Sequence, residues 1–213
     1  KLDAEYRYLT EDFGAGEIWG GYLAKDSEYD DQDRSNLHLL HHWQITPQWF
    51  TNLEFNHASD KDYFADFDNN PNTKTDLNLR RAWELNYQHG IPGLKAQLKV
   101  EDFQTLDETI KDADKPYARL PQFLVNYLAG DPQGLQYEFN NDTAYFKKSI
   151  NDGSALESSG TRLYNHLAIR YNDLTPTWKK KNPEVSVHSI NTNYDQDSQS
   201  CPGLDEKKKK KSV

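Results

Sequence analysis

Between Leu77 and Glu101 the chain alternates strictly between two kinds of side chain, and that pattern restricts the possible folds more than any other feature. Leu77, Leu79, Arg81, Trp83, Leu85 and Tyr87 fall on one side of an extended chain, and Asn78, Arg80, Ala82, Glu84, Asn86 and Gln88 on the other. The breaker His89-Gly90-Ile91-Pro92-Gly93 follows, and the alternation resumes with Leu94, Ala96, Leu98 and Val100 against Lys95, Gln97, Lys99 and Glu101. Successive side chains of a strand point to opposite faces, so this segment is a β-hairpin with one apolar and one charged side.

The composition fits a chain built from repeats of that unit. Mean hydropathy is -1.00 and only 35% of residues are hydrophobic, values that by themselves suggest disorder. Yet 13% are aromatic, including 5 Trp and 13 Tyr, and disordered chains are poor in aromatics. A β structure with one polar face reconciles the two, whether a soluble sandwich or an outer-membrane barrel. The net charge of -9 and pI near 5.2 argue against nucleic acid as a partner, because phosphate backbones need a basic surface. The single cysteine, Cys201, has no partner for an intramolecular disulfide. No apolar run reaches the length of a transmembrane helix. A start at Lys1-Leu2-Asp3 reads as a processed or excised piece.

Taken in order, the chain predicts about ten strands: Ala4–Thr10, Glu17–Leu23, Ser35–Trp43, Trp49–Ala58, the two arms of the hairpin, Arg119–Leu128, Gln133–Phe146, Arg162–Asn172 and Glu184–Tyr194. Connections alternate between short ones (around 11–16, 44–48, 90–93, 129–132 and 173–183) and long ones (around 24–34, 59–73, 104–118, 147–161 and from 195 onward). In an up-and-down meander this places every short turn at one end and every long loop at the other, as in transmembrane barrels. Trp43, Trp49, Tyr87, Tyr127, Tyr171 and Trp178 all fall beside short turns, where an interfacial aromatic girdle would lie. The expected fold is therefore all-β, an antiparallel up-and-down meander forming a transmembrane β-barrel or a roughly ten-strand piece of a larger one. Residues 1–194 form the barrel segment, and 195–213 a polar tail with a lysine run. Lipid-facing candidates are Leu53, Phe55, Leu79, Trp83, Leu85, Leu98, Leu167 and Ile169. Lumen-facing candidates are Glu54, Arg80, Glu84, Lys95, Lys99, Glu101 and Arg170. A porin-like channel and a soluble β-sandwich or calycin-like binding module remain as rivals.

Three stretches carry a resemblance: AEYRYLTEDFGAGEIWGGYLAKDSEYD from Ala4, HHWQITPQWFTNLEFNHASDKDYFADFDNN from His41, and KPYARLPQFLVNYLAG from Lys115. Within them, Glu5-Tyr6-Arg7-Tyr8-Leu9, Gly21-Tyr22-Leu23, the run from Ser59 to Phe67, and Arg119-Leu120-Pro121-Gln122 are the most specific. In order and spacing they resemble, over about residues 4–194, the barrel domain of the lipopolysaccharide-assembly outer-membrane protein family, the LptD or OstA type. The resemblance implies a section of a wide barrel in the outer membrane of a Gram-negative cell. Its implied partners are lipopolysaccharide, membrane lipid, a plug lipoprotein in the lumen and the periplasmic bridge protein of the same transport system. It implies transport and not bond-making chemistry, so no catalytic residue and no cofactor carry over. The jellyroll domain, gate strands and partner cysteines of that family have no counterpart in this stretch. The lysines at 179–181 and 207–211 also depart from the family pattern.

The remaining motifs are weaker. His38, His41 and His42 cluster, with His38 and His42 on one strand face, but no further ligand can be placed near them, and no metal is expected. Asp66, Asp68 and Asn70 begin like a calcium loop, yet Pro71 stands where Gly is needed and Leu77 where a bidentate Glu belongs. The acidic residues Asp26, Glu28, Asp30, Asp31 and Asp33 read as a solvated outward loop, with divalent-ion bridging to anionic lipid as the alternative. No nucleophile elbow or phosphate loop stands out.

Overall fold

The computed structural model describes residues 1–67, 78–107, 109–111, 114–149, 157–171 and 184–196. They form one antiparallel sheet whose strand order is the chain order: β1 (Leu2–Thr10), β2 (Gly14–Asp26), β3 (Gln32–Gln44), β4 (Trp49–Ala58), β5 (Asn78–Tyr87), β6 (Leu94–Thr105), β7 (Ala118–Gly130), β8 (Leu135–Ser149), β9 (Glu157–Tyr171) and β10 (Glu184–Gln196). One short helix, α1 (Tyr63–Phe67), interrupts the connection between β4 and β5. The up-and-down meander is thus as expected. β1 and β10 are the two ends of the sheet, so the described residues make an open ten-stranded piece and not a closed barrel.

The strands run further than the hydrophobic alternation suggested, and mostly at their long-loop ends. β2 continues to Asp26 and β3 begins at Gln32, leaving residues 27–31 as the connection; β8 reaches Ser149 and β9 starts at Glu157. The added residues are largely polar. Their backbone groups extend the ladder without an apolar side chain to announce it.

Register determines the two faces, because residues directly opposite across an antiparallel pair project to the same side. Leu53 pairs with Trp83, Trp83 with Val100, and Leu85 with Leu98, which in turn faces Phe123. Further along, Phe139 pairs with Leu167 and Leu167 with Val187. Glu54 pairs with Ala82, Ala82 with Glu101, and Glu84 with Lys99 on the other side. One face is apolar across β3–β10 and the other carries the charges. Large apolar side chains stay open on the first: Trp83 is 37% exposed, Phe123 45% and Leu167 47%. The only cluster of buried hydrophobics among the described residues is small. Ala58, Tyr63, Phe64, Leu79 and Leu106, with Trp19 and Phe67 against them, gather where α1 folds back onto the sheet.

Three glycines at the short turns, Gly14, Gly93 and Gly130, have positive φ. Gly93 shows why: φ is +78° and a Cβ there would overlap the Leu128 carbonyl oxygen, while the Gly93 carbonyl accepts the Leu128 amide at 3.0 Å. Gly93→Ala should therefore destabilise the chain by more than about 1 kcal/mol. Gly134→Ala, whose new Cβ would meet only the Asp131 side chain, should change stability by less than about 0.5 kcal/mol. Equilibrium denaturation of the two variants in parallel checks the contrast.

Candidate functional site

The charged face is the candidate site, and it is organised around a few arginines. Arg80 on β5 reaches three carboxylates from one guanidinium: Nη1 to Glu54 Oε2 at 2.6 Å, Nη2 to Glu84 Oε1 at 2.9 Å and Nε to Glu101 Oε1 at 2.8 Å. Glu101, whose side chain is 5% exposed, is in turn bonded by Arg119 and lies 3.4 Å from Lys99 Nζ. The arrangement follows from strand geometry. Glu54, Ala82 and Glu101 are consecutive cross-strand neighbours, and the small Ala82 leaves room for Arg80 and Glu84 on either side of it. A planar, five-donor guanidinium satisfies several carboxylates at once, where a lysine would satisfy one.

A second set lies on the same face further round the sheet. Arg170 pairs with Glu138, which also accepts from Asn140 and lies 3.8 Å from His166 Nδ1. Arg162 pairs with Asp142, and Asp142 accepts from Gln122 at 2.8 Å. The rings of His166 and His188 stack at 4.2 Å. Of the residues expected on the polar side, Glu54, Arg80, Glu84, Lys99 and Glu101 come together in one network; Arg170 belongs to the second set. Lys95 lies at the short-turn end, opposite Asn126, and joins neither network among the described residues.

The expected apolar residues Leu53, Phe55, Trp83, Leu85, Leu98, Leu167 and Ile169 share the opposite face. Leu79 departs from them. It is 6% exposed, buried against α1, because β4 and β5 part company beyond Phe55–Arg81 and the chain from Ser59 fills the gap. Arg81 shares the apolar side by alternation, but its guanidinium is turned onto Gln104 Oε1 at 2.6 Å and the Asn56 carbonyl at 2.9 Å, and it covers the Phe55 ring. The aromatic residues Trp43, Trp49, Tyr87, Tyr127 and Tyr171 lie on the apolar face beside the short connections, with Trp49 and Tyr87 in contact at 4.9 Å. Trp178 lies outside the described residues, as do Asp68, Asn70, Leu77, Cys201 and the lysines at 179–181 and 207–211.

The histidine cluster divides between the faces. His38 and His42 bond Asn56 and Asn52 on the charged side, and His41 bonds the Tyr8 hydroxyl at 2.7 Å on the other. No group of three metal-ligating side chains occurs among the described residues.

Alternation gives no role to Arg34, the most enclosed charge among the described residues. Its side chain is 3% exposed and makes a bidentate pair with Asp60, Nη2 to Oδ1 at 2.7 Å and Nε to Oδ2 at 2.9 Å. It also holds Asp26 at 3.0 Å and Asp66 at 2.8 Å, between the rings of Tyr29 at 4.3 Å and Phe67 at 4.7 Å. Two of its carboxylates come from the run Ser59–Phe67, so Arg34 ties that segment to β3. The signal was present: Arg34 is the only Lys or Arg between Lys25 and Lys61, a stretch crowded with acids. Asp26, read as part of an outward acidic loop, is therefore spent on an internal pair.

Two outcomes test these networks. Arg80→Ala leaves three carboxylates facing one another, one of them buried. We expect a loss of about 2 kcal/mol in unfolding free energy, below the value for a fully enclosed pair because Arg80 is one-third exposed. Arg80→Lys should recover only part of it. For the Arg34 clamp the acid to follow is Asp60, outside the strands. Burial works against its charge, but the Arg34 guanidinium, the Ser59 hydroxyl and the Asp62 amide hold its carboxyl below the usual carboxylate range. A depressed acid stabilises the fold above its unfolded value of about 4, and that stability is lost as pH falls through the lower folded value. Acidification below about pH 4 should release α1 from the sheet, seen as lost hydrogen-exchange protection at Asp66, whose amide bonds the Asp62 carbonyl. Arg34→Met should give the same loss at neutral pH.

A family profile for LPS transport system D, LptD, matches residues 32–213. Over its full length the chain is 69% identical to the LPS-assembly protein LptD of Acinetobacter baumannii and 61% identical to that of Acinetobacter baylyi, covering 26% of each. It is 42% identical, over 92% of its length, to the LPS-assembly protein LptD of Psychrobacter arcticus, covering 22% of that protein. The chain thus spans about a quarter of the length of these curated relatives. The region from Arg34 through α1, and both arginine networks of the charged face, fall within the matched residues. The chain belongs to the LptD family of lipopolysaccharide-assembly proteins.

Proposed function

We propose that this chain is a section of the wall of an outer-membrane barrel in a Gram-negative bacterium, and that the whole protein delivers lipopolysaccharide into the outer leaflet. The observation that carries this reading is the sheet's two-faced character. Seven of the eight expected apolar residues line one face, with Trp83, Leu167 and Ile169 exposed and the other four half-buried, while the opposite face is knitted by ion pairs. A soluble sandwich turns its apolar face inward and its charges outward; a barrel wall in lipid does the reverse. Family membership supplies the cargo, since the relatives are named as LPS-assembly proteins.

On this reading Leu53, Phe55, Trp83, Leu85, Leu98, Leu167 and Ile169 meet acyl chains, while Trp43, Trp49, Tyr87, Tyr127 and Tyr171 mark the interface at the short-turn end. That end faces the periplasm, and the long-loop end, with α1 and the Arg34 clamp, faces outward. The charged face lines a hydrated lumen. Its carboxylates and guanidiniums are matched to one another, so it can seat a polar plug lipoprotein without strong net attraction for stray ions. The periplasmic bridge protein that feeds lipid to such a barrel would engage the whole protein. Nothing in the mechanism requires bond-making by these residues: an amphipathic lipid is received, held with its polar head in the hydrated interior, and released sideways.

The full-length protein that carries this chain should develop β circular dichroism and a blue-shifted tryptophan spectrum only when lipid vesicles or micelles are supplied. Folding as a monomer with blue-shifted emission in plain buffer would sink the membrane reading. Leu167→Arg should lower folding into vesicles by about 2–4 kcal/mol, whereas Leu124→Arg, on the charged side, should cost less than about 1 kcal/mol.

A further inference from the structure

The apolar face is not apolar over the full length of its strands, and register shows where it stops. Trp49 pairs with Tyr87, Tyr87 with Ala96 and Ala96 with Val125, and the same row continues through Asn141, Asn165 and Ser189. A line straight across the strands from two interface aromatics thus ends on three polar side chains. On β9 the interface aromatic is Tyr171, six positions nearer the short turn than Asn165. On β7 it is Tyr127, two positions nearer than Val125. With strands about 4.8 Å apart and a rise of about 3.4 Å per residue, the aromatic line from Trp49 to Tyr171 is level when the strands tilt by about 40°. Strands of membrane-spanning walls tilt by about 35–45°.

Measured along each strand from that line, the apolar run is short. At alternate positions it passes from Trp43 to Leu37 before Ser35 on β3, and from Trp49 to Phe55 before His57 on β4. It passes from Leu94 to Val100 before Asp102 on β6, from Leu135 to Phe139 before Asn141 on β8, and from Tyr171 to Leu167 before Asn165 on β9. Two polar residues inside the run are already satisfied: Thr51 donates to the Glu84 carbonyl at 2.8 Å, and His41 is bonded to the Tyr8 hydroxyl. The run is six to eight positions long, shortest on β8 and β9, where a strand crossing a bilayer takes about 9–11. At a tilt of about 40° it spans about 16–21 Å, against a usual apolar band of about 25 Å. Past its limit the polar side chains bond one another: Asn141 Nδ2 donates to Asn165 Oδ1 at 2.8 Å, and the Thr143 hydroxyl to Asn141 Oδ1 at 3.2 Å. Leu163, between Thr143 and Asn191, is the exception on β9. Tyr22, beside Ser35, and Tyr145, beyond Thr143, are exposed rings placed for a second aromatic line.

We propose that this section of wall fits a thin bilayer, and that it draws the lipid beside it inward, most sharply along β8 and β9. The proposal rests on the membrane reading above. At ordinary thickness the amides of Asn141 and Asn165 would stand in hydrocarbon with part of their hydrogen-bonding capacity unmet. Local thinning brings headgroups and water down to them, and a fluid bilayer yields to such a mismatch at modest cost. Beside such a wall the polar head of a lipid crosses a shorter apolar span.

Two measurements on the full-length protein that carries this chain test it. In the first, a fluorescent amino acid replaces Asn165 or, in a second protein, Leu167, and each is reconstituted into dioleoyl phosphatidylcholine vesicles. Lipids brominated near the ends of their acyl chains quench from the bilayer centre. They should quench position 165 at least about threefold less than position 167, because a thin belt puts 165 at the headgroups. Equal quenching at the two positions would give the belt ordinary height and overturn the proposal. In the second, thermal unfolding is followed in dilauroyl and in dioleoyl phosphatidylcholine vesicles. The Tm should be lower in the thicker bilayer by at least about 5 °C. The variant Asn141→Leu/Asn165→Leu/Ser189→Leu, whose belt is longer, should lose less than about half as much. The same thickness dependence in both proteins also overturns the proposal, and the quenching comparison stands without that variant. Quenching at neither position by any lipid would mean that the face meets no lipid. That result removes the membrane reading itself, whereas equal quenching removes only the belt height.

Discussion

The whole arrangement depends on register. Nine successive antiparallel pairings carry the same two-residue alternation from β1 to β10, and a slip of one residue at any of them would exchange the faces of every strand beyond it. The ladder tolerates irregularity only in a few places: between Leu23 and Asp26 on β2, between Lys99 and Glu101 on β6, and between Arg119 and Gln122 on β7. All lie toward the long-loop end. Two of them take up the step where β7 leaves β6, and the faces are preserved on both sides of it: Lys99 and Gln122 before the step and Glu101 and Arg119 after it stay on the charged side.

Charge is distributed so as to reinforce that register. Arg80 bonds carboxylates on its own strand and on both neighbours, and Glu101 carries the network on to Arg119. Each such pair contributes little alone when partly wet, but a guanidinium that engages three strands ceases to fit if any of them slips. The same logic operates at the long-loop end in Arg34 on β3, where the partners come from β2 (Asp26), the segment leading to α1 (Asp60) and α1 itself (Asp66). That enclosed arginine, with aromatic rings on its flanks and the small hydrophobic cluster alongside, supplies the nearest thing to a conventional core in a sheet that otherwise keeps both faces open.

The elements readable from sequence were those in which alternation and turn chemistry agree. β4 runs from Trp49 to Ala58, as its pattern predicts, because Trp49, Thr51, Leu53 and Phe55 alternate cleanly with polar residues between two breakers. Alternation ends β2 and β8 short of their long-loop ends, since Asp26, Lys147 and Lys148 extend the strands with side chains that carry no apolar rhythm. α1 was missed: five residues make no helical period, and Tyr63 and Phe64 are held by burial and by Arg34's hold on Asp60 and Asp66, contacts that are remote in sequence. Leu79 went astray for the same reason. Its alternation is correct, but it lies where the neighbouring strand has left, and a tertiary contact covers it. Alternation determines which way a side chain points and says nothing of what folds over it.

The open sheet and the membrane reading require each other. In water, the free edges of β1 and β10 are hydrated and cost little. In hydrocarbon each unpaired backbone N–H and C=O costs several kcal/mol, so an open ten-stranded sheet cannot stand in lipid with two bare edges. A wall with apolar residues outward is therefore stable only if further strands pair with both β1 and β10. The relatives, of which this chain spans about a quarter, have the length to supply them. On the edge strand β10, Val185 and Val187, which continue the apolar face, are each more than 60% exposed. An apolar edge so open is a template for pairing with another strand, which is the role the membrane reading gives it.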